Sequence, residues 1–143
     1  MAGTHGKTTT SALLATVLDG AGTEPGWVVG APIPGLGRSA TWGGAGPLVI
    51  EADESDGTFL ALHTDVALVT NIEPDHLEHY GSFEGLVGSF QRFLAAAQGP
   101  AVVSADDELA LRSGRAVGAT SVGLSAEADI QIVDVCPAGS GSD

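Results

Sequence analysis

The sequence predicts an α/β fold, a mostly parallel sheet flanked by helices, and three observations carry that expectation. Helix-periodic stretches alternate along the chain with short apolar runs. A glycine-rich turn near the N-terminus opens directly into a helical pattern. Two of the apolar runs stop abruptly in polar clusters, as buried parallel strands do where they reach a ligand-binding edge. The chain has 143 residues, enough for one core and too few for two comfortable domains. Apolar residues make up 43% and aromatics only 5%, so Ala, Val and Leu are expected to build most of that core.

The first helix is expected over residues 8–21, where Leu13, Leu14, Val17 and Leu18 fall at helical spacing and Gly20 and Gly22 supply a stop. Residues 27–29 form a short strand candidate. Residues 30–46 are rich in glycine and proline, which predicts an irregular segment or a hairpin running over a site. Residues 48–50 and 66–70 read as buried strands. Residues 82–97 read as an amphipathic helix, with Ser82 as its N-cap, Phe83, Leu86, Val87, Phe90, Phe93 and Leu94 on one side, and Gly99-Pro100 beyond its end. A strand at 101–103, a helix at 106–115 begun by Asp106 and Asp107, and strands at 120–122 and 129–135 complete the pattern. Residues 137–143 are small and polar and are expected to be a flexible tail. Trp27, Trp42 and the phenylalanines are assigned to packing, and His63, His79 and Arg38 to the surface.

Charge narrows the functional classes. Net charge is −13, from 18 acidic residues against 5 basic ones, which disfavours a nucleic-acid or anionic-membrane partner. Lys7, Arg38, Arg92, Arg112 and Arg115 are the only Lys or Arg cations, so a polyphosphate bound here should arrive with Mg²⁺. One cysteine, Cys136, excludes an intrachain disulfide and fits a reducing cytoplasm. No export signal and no apolar run near the length of a membrane span is present.

Gly3-Thr4-His5-Gly6-Lys7-Thr8-Thr9-Thr10 reads as a phosphate-binding loop. Its glycines permit tight turns, so the amides after them can point into one concavity. Lys7 supplies a cation, Thr8 a hydroxyl for Mg²⁺, and the following helix turns its positive end toward the same anion. The general pattern G-x-x-x-x-G-K-[ST] is matched in part, because Met1 stands where its first glycine belongs. Glu51 follows Ile50 directly at a strand terminus and is the best candidate to hold Mg²⁺ opposite Thr8. His76, beside Asp75 in the polar turn after the next strand, is a second site candidate.

Together these three pieces resemble the central ATP-binding domain of the Mur ligases: Gly3 to Thr10, Glu51-Ala52-Asp53-Glu54-Ser55-Asp56, and Thr70-Asn71-Ile72-Glu73-Pro74-Asp75-His76 with Tyr80 following. That family also lacks the first glycine of the general loop, and its fold is a P-loop NTPase-like sheet. The string from Glu51 to Asp56 marks the subtype, since the related murein-peptide ligases carry Tyr where this chain has Ser55. The resemblance implies an ATP-dependent amide ligase of peptidoglycan precursor synthesis. In it, ATP phosphorylates the muramic-acid carboxylate of UDP-N-acetylmuramate, and L-alanine attacks the acyl phosphate.

Carried over by residue, the resemblance places Gly3, Thr4, His5, Gly6, Lys7, Thr8, Thr9 and Asn71 at the nucleotide. Lys7 would contact the β- and γ-phosphates, Thr8 and Glu51 one Mg²⁺, and His76 a second. It covers about residues 1–136, a partial central domain incomplete at both ends, without the uridine-nucleotide domain, the C-terminal ligase domain or the strand that should carry the loop. A gene fragment or misplaced start is therefore expected, one that binds ATP poorly and is inactive as a ligase alone. A phosphotransferase or other P-loop protein, and a non-catalytic ATP-binding remnant, are the alternatives.

Overall fold

The computed structural model describes residues 1–135. Cys136 and the tail expected at 137–143 lie outside the described residues. In chain order the elements are α1 (Lys7–Gly20), β1 (Gly26–Val28), β2 (Ala40–Thr41), β3 (Leu48–Ile50), a 3₁₀ turn (Thr58–Ala61), β4 (Ala67–Val69), α2 (Leu77–Tyr80), α3 (Phe83–Ala95), β5 (Ala101–Ser104), α4 (Glu108–Arg115), β6 (Thr120–Gly123) and β7 (Ile130–Gln131). β1 pairs in parallel with β3 and antiparallel with β2, so the Gly/Pro-rich stretch returns as a hairpin. β4, β5, β6 and β7 form a parallel ladder in sequence order.

Two residues join these ladders. The Met1 amine donates to Ile50 O at 2.8 Å and Ala52 N to Met1 O at 2.7 Å, while Ala2 N donates to Leu68 O at 2.8 Å and Thr70 N to Ala2 O at 3.1 Å. Met1 and Ala2 therefore occupy a strand position between β3 and β4, with Ala2 bridged in parallel to Val69. This corrects the expectation that the loop lacks a strand to hold it: two residues bonded on both sides fix its entry. They are too few to show any periodicity in the sequence.

Burial lowers the pKa of the Met1 amino group to about 6, against the opposing pull of the Glu51 carboxylate. The unfolded chain then binds the extra proton between that value and the ordinary 8.0, so stability rises as pH increases from about 6 to 8. Urea titrations across this range should show the rise, and an N-acetylated chain should lose that component.

The larger core lies between the β4–β5 face and α3. Phe59, Leu86, Phe90, Phe93, Leu94, Val69, Ile72 and Val103 are all buried there. The Phe59 ring packs 5.4 Å from that of Phe90 and 5.2 Å from that of Phe93. α3 follows its pattern: Ser82 accepts from Gly85 N as the N-cap, and the apolar stripe faces inward. Phe90→Ala, at a position with no exposed area, is expected to cost about 3–5 kcal/mol in chemical denaturation.

α1 differs from expectation. Its buried positions are Ser11 and Ala15, which let the helix approach β1 and β3 closely, where Ala15 meets Trp27, Val29, Val49 and Ile33. Leu18 packs partly against this cluster, but Leu13 and Val17 are 62% and 67% exposed. Trp27 is packed as expected, whereas Trp42 is 88% exposed beside β2, a correction to its assignment. The strand expected over 129–135 is only β7; Asp129, just before it, accepts from Ser121 N and Oγ, both at 2.8 Å. Asp107 caps α4 as expected, but Asp106 instead accepts from Leu124 N and Ser125 N. His63 and Arg38 are exposed, and the His79 ring stacks edge-on to Tyr80.

Candidate nucleotide site

The loop leaves its strand position at Ala2 and turns on two glycines. Gly3 has φ +141°, and a Cβ there would stand 2.0 Å from Thr70 Oγ1; Gly6 has φ +78° and is the N-cap of α1. Gly3→Ala is therefore expected to push the loop off β4 and to abolish nucleotide binding, with Gly20→Ala, which meets open space, as the neutral control. A binding titration of both variants checks this.

The loop is pinned from the end of β4. His5 N donates to Asn71 Oδ1 at 2.8 Å, and His5 O accepts from Asn71 Nδ2 at 3.0 Å and Thr70 Oγ1 at 2.7 Å. Thr4, nearly buried, donates from N to Asn71 O at 3.1 Å, and its hydroxyl accepts from Glu73 N at 2.9 Å. Asn71 thus shapes the loop from beneath instead of lining its mouth. The His5 ring is exposed and lies 3.7 Å from the Glu73 carboxylate. Thr9 is also exposed and, with Thr8, Leu13, Pro32 and Pro34, lines an apolar cleft beside α1.

At the mouth, β3 delivers Glu51. Its Oε1 accepts from Thr8 Oγ1 at 2.7 Å and its Oε2 from Gly30 N at 2.6 Å. Gly30, just past β1, is a partner that sequence reasoning missed; its place after the run at 27–29 was the available signal. Lys7 Nζ donates to Gly3 O at 2.8 Å, Thr4 O at 3.2 Å and Glu54 Oε1 at 2.9 Å. A cleft of about 400 Å³ opens here, lined by Lys7, Val28, Val29, Gly30, Glu51 and Asp53.

In the rest of the acidic run, Asp53 Oδ1 accepts from Ser55 N and Asp56 Oδ1 from Thr58 N. Hydrogen bonding to Thr58 holds the Asp56 carboxyl below its usual pKa. His76, in the turn between β4 and α2, has φ +50°, and its ring lies 3.6 Å from Asp75 and 4.0 Å from Glu78. No hydrogen bond or ion pair among the described residues joins it to Lys7, Thr8 or Glu51. The structure thus joins the loop to Glu51 and to Asn71 by hydrogen bonds, while the His76 ring contacts Asp75 and Glu78.

Mg²⁺ fits the Thr8–Glu51 corner. It takes hard oxygen ligands, and it is commonly held by one carboxylate with water and phosphates completing the shell. Among the described residues no three carboxylate, histidine or thiol side chains converge into a cage, which is consistent with that mode.

A glycine-turned loop pinned between parallel strands, with a lysine and a threonine–glutamate pair at its mouth, has the arrangement of a P-loop-type phosphate site. The family described as Mur ligase middle domain matches residues 1–141, and the chain belongs to that family. It is 46% identical over 141 residues to the UDP-N-acetylmuramate–L-alanine ligase of Renibacterium salmoninarum, covering 94% of this chain and 30% of that protein. It is 44% identical over 149 residues to the enzyme of the same name from Kineococcus radiotolerans, covering 99% of this chain and 32% of that protein.

Among solved structures, the UDP-N-acetylmuramate–alanine ligase MurC of Thermotoga maritima superimposes with a TM-score of 0.73 at 32% identity, over 85% of this chain and 27% of that one. The UDP-N-acetylmuramate:L-alanyl-γ-D-glutamyl-meso-diaminopimelate ligase of Neisseria meningitidis gives a TM-score of 0.72 at 26% identity, over 84% of this chain and 44% of that one. The chain spans about a third of the length of these curated relatives.

Proposed function

We propose that the chain is the ATP-binding part of a cytoplasmic ligase of peptidoglycan precursor synthesis, one that joins L-alanine to the muramic-acid carboxylate of UDP-N-acetylmuramate. The observation that carries the reading is the Thr8 hydroxyl and the Glu51 carboxylate meeting at 2.7 Å at the mouth of the Lys7 loop. We assign residues 1–136 to the ATP-binding domain. Recognition of the uridine nucleotide and of the amino acid is assigned to other domains of the full ligase.

The chemistry sets the demands on these residues. A carboxylate attacking a γ-phosphate brings two anions together, and positive charge must offset their repulsion as the new bond forms. Thr8 and Glu51 would hold Mg²⁺, and His76 a second ion. Mg²⁺, when bound, supplies charge neutralisation and orients the phosphate oxygens. Lys7 adds the one ammonium of the loop, and the backbone N–H groups that open α1 after Gly6 orient the phosphate chain. Asn71 and Thr70 keep that backbone rigid by holding both sides of the His5 peptide.

The net charge of −13 supports a small-molecule substrate over nucleic acid, and no helix of the described residues is long and apolar enough to cross a membrane. Calorimetric titration tests the reading. ATP is expected to bind this chain with Mg²⁺ present and to lose most of its affinity with EDTA. Alone, the chain should form no UDP-N-acetylmuramoyl-alanine, whereas a full ligase carrying it should do so with ATP consumption. ATP binding indifferent to Mg²⁺, or ligation by the isolated chain, overturns the assignment.

A further inference from the structure

We propose that Glu54 is the positioning residue for Lys7, the buried counter-charge that fixes where the loop presents its ammonium. This rests on the ATP-site reading above. Within the run from Glu51 to Asp56, Glu54 is the one acid turned fully inward, 2% exposed against a Lys7 side chain that keeps 16%. Its Oε1 lies 2.9 Å and its Oε2 2.8 Å from Lys7 Nζ. Oε2 makes no other hydrogen bond, so this carboxylate depends on the lysine alone for its compensation.

An ammonium has three hydrogens, and here one goes to Glu54 while the others go to Gly3 O and Thr4 O. The three contacts differ in what it costs to break them. A backbone carbonyl at the loop can be surrendered to a phosphate oxygen at small loss, because one neutral acceptor is exchanged for a charged one. A carboxylate with 2% exposure cannot be left without its counter-ion at comparable cost. Lys7 therefore keeps Glu54 when a polyphosphate arrives and redirects the hydrogens now on Gly3 and Thr4.

Glu54 is itself tethered. The Tyr80 hydroxyl, at the end of α2, donates to the Glu54 backbone carbonyl, which ties the acidic run to the element following His76. If Glu54 instead competed with phosphate for the lysine, its removal would tighten binding, so the sign of the effect separates the two roles.

Lys7 is the only lysine in the chain, so acylation of its amine by an amine-selective reagent can be followed at a single side chain by peptide mass spectrometry. Glu54→Gln is expected to accelerate Lys7 acylation several-fold in the nucleotide-free chain; an unchanged rate overturns the proposal. In titrations with Mg·ATP, Glu54→Gln should weaken binding by about tenfold, the scale of one charge-assisted hydrogen bond. That loss should vanish in a Lys7→Ala background, as it must if Glu54 acts through Lys7. Tighter binding, or an equal loss in both backgrounds, overturns the proposal. Tyr80→Phe keeps the carboxylate and removes only the tether, so it should shift both readouts in the same direction by less, and it serves if Glu54→Gln does not fold. A wild-type chain that binds no Mg·ATP, yet whose Lys7 is uncovered by Glu54→Gln, would refute the nucleotide reading and leave the Glu54–Lys7 arrangement standing.

Discussion

Lys7→Ala is expected to lower turnover of a ligase carrying this domain by about a hundredfold or more, the scale of losing one pre-organised charge at a reacting phosphate. It has a second consequence that a surface lysine would not have. Glu54 would be left buried without its counter-charge, and breaking such a pair from one side costs about 3 kcal/mol. The two effects come apart in the double variant Lys7→Ala/Glu54→Gln. Removing both charges should restore most of the stability and leave Mg·ATP affinity where Lys7→Ala alone leaves it. Thermal unfolding and a Mg·ATP titration of the same three proteins read the two effects independently.

Glu51→Ala is the second large effect, and its signature differs. The Glu51 carboxylate is part-exposed and its partners are a hydroxyl and one backbone amide, so the fold should lose only about 1 kcal/mol. Metal dependence should change completely. Wild-type affinity for ATP is expected to rise with Mg²⁺ concentration, whereas Glu51→Ala should bind ATP weakly and equally with Mg²⁺ or EDTA. Glu51→Gln keeps the shape and the acceptor for Thr8 but not the charge, and should behave as the alanine variant does toward the metal. A Mg²⁺ titration at fixed ATP, followed by calorimetry, separates the wild type from both variants.

Much of this was legible in the residues. Gly3, Gly6, Lys7 and Thr8 are adjacent in the chain, so a local motif could place them without knowledge of the sheet. Glu51 could be placed because Leu48-Val49-Ile50 passes straight into it, and a strand terminus has one defined edge. Ser82 and the α3 stripe were equally readable, since capping and periodicity are both local.

What escaped was set by partners distant in sequence. Periodicity on α1 identifies a leucine-rich side but not which side the sheet takes, and the sheet took small Ser11 and Ala15, leaving Leu13 and Val17 outside. Burial of Glu54 depends on Lys7, 47 positions away, and the sole local sign is that buried Ala52 and Glu54 flank exposed Asp53 at strand-like spacing. α2 is a single turn begun by His76 in the left-handed region, too short for any periodic signal.

Where the phosphates lie is the most direct question to put to this molecule. A crystal of the chain grown with Mg²⁺ and a non-hydrolysable ATP analogue should show the β- and γ-phosphates against the amides of Gly6 to Thr8. The metal should lie between Thr8 Oγ1 and Glu51 Oε1, with Lys7 Nζ touching both phosphate and Glu54. Density for the phosphates in the apolar cleft beside Thr9 and Pro34, or a metal bound away from Glu51, would contradict the site assigned to this chain.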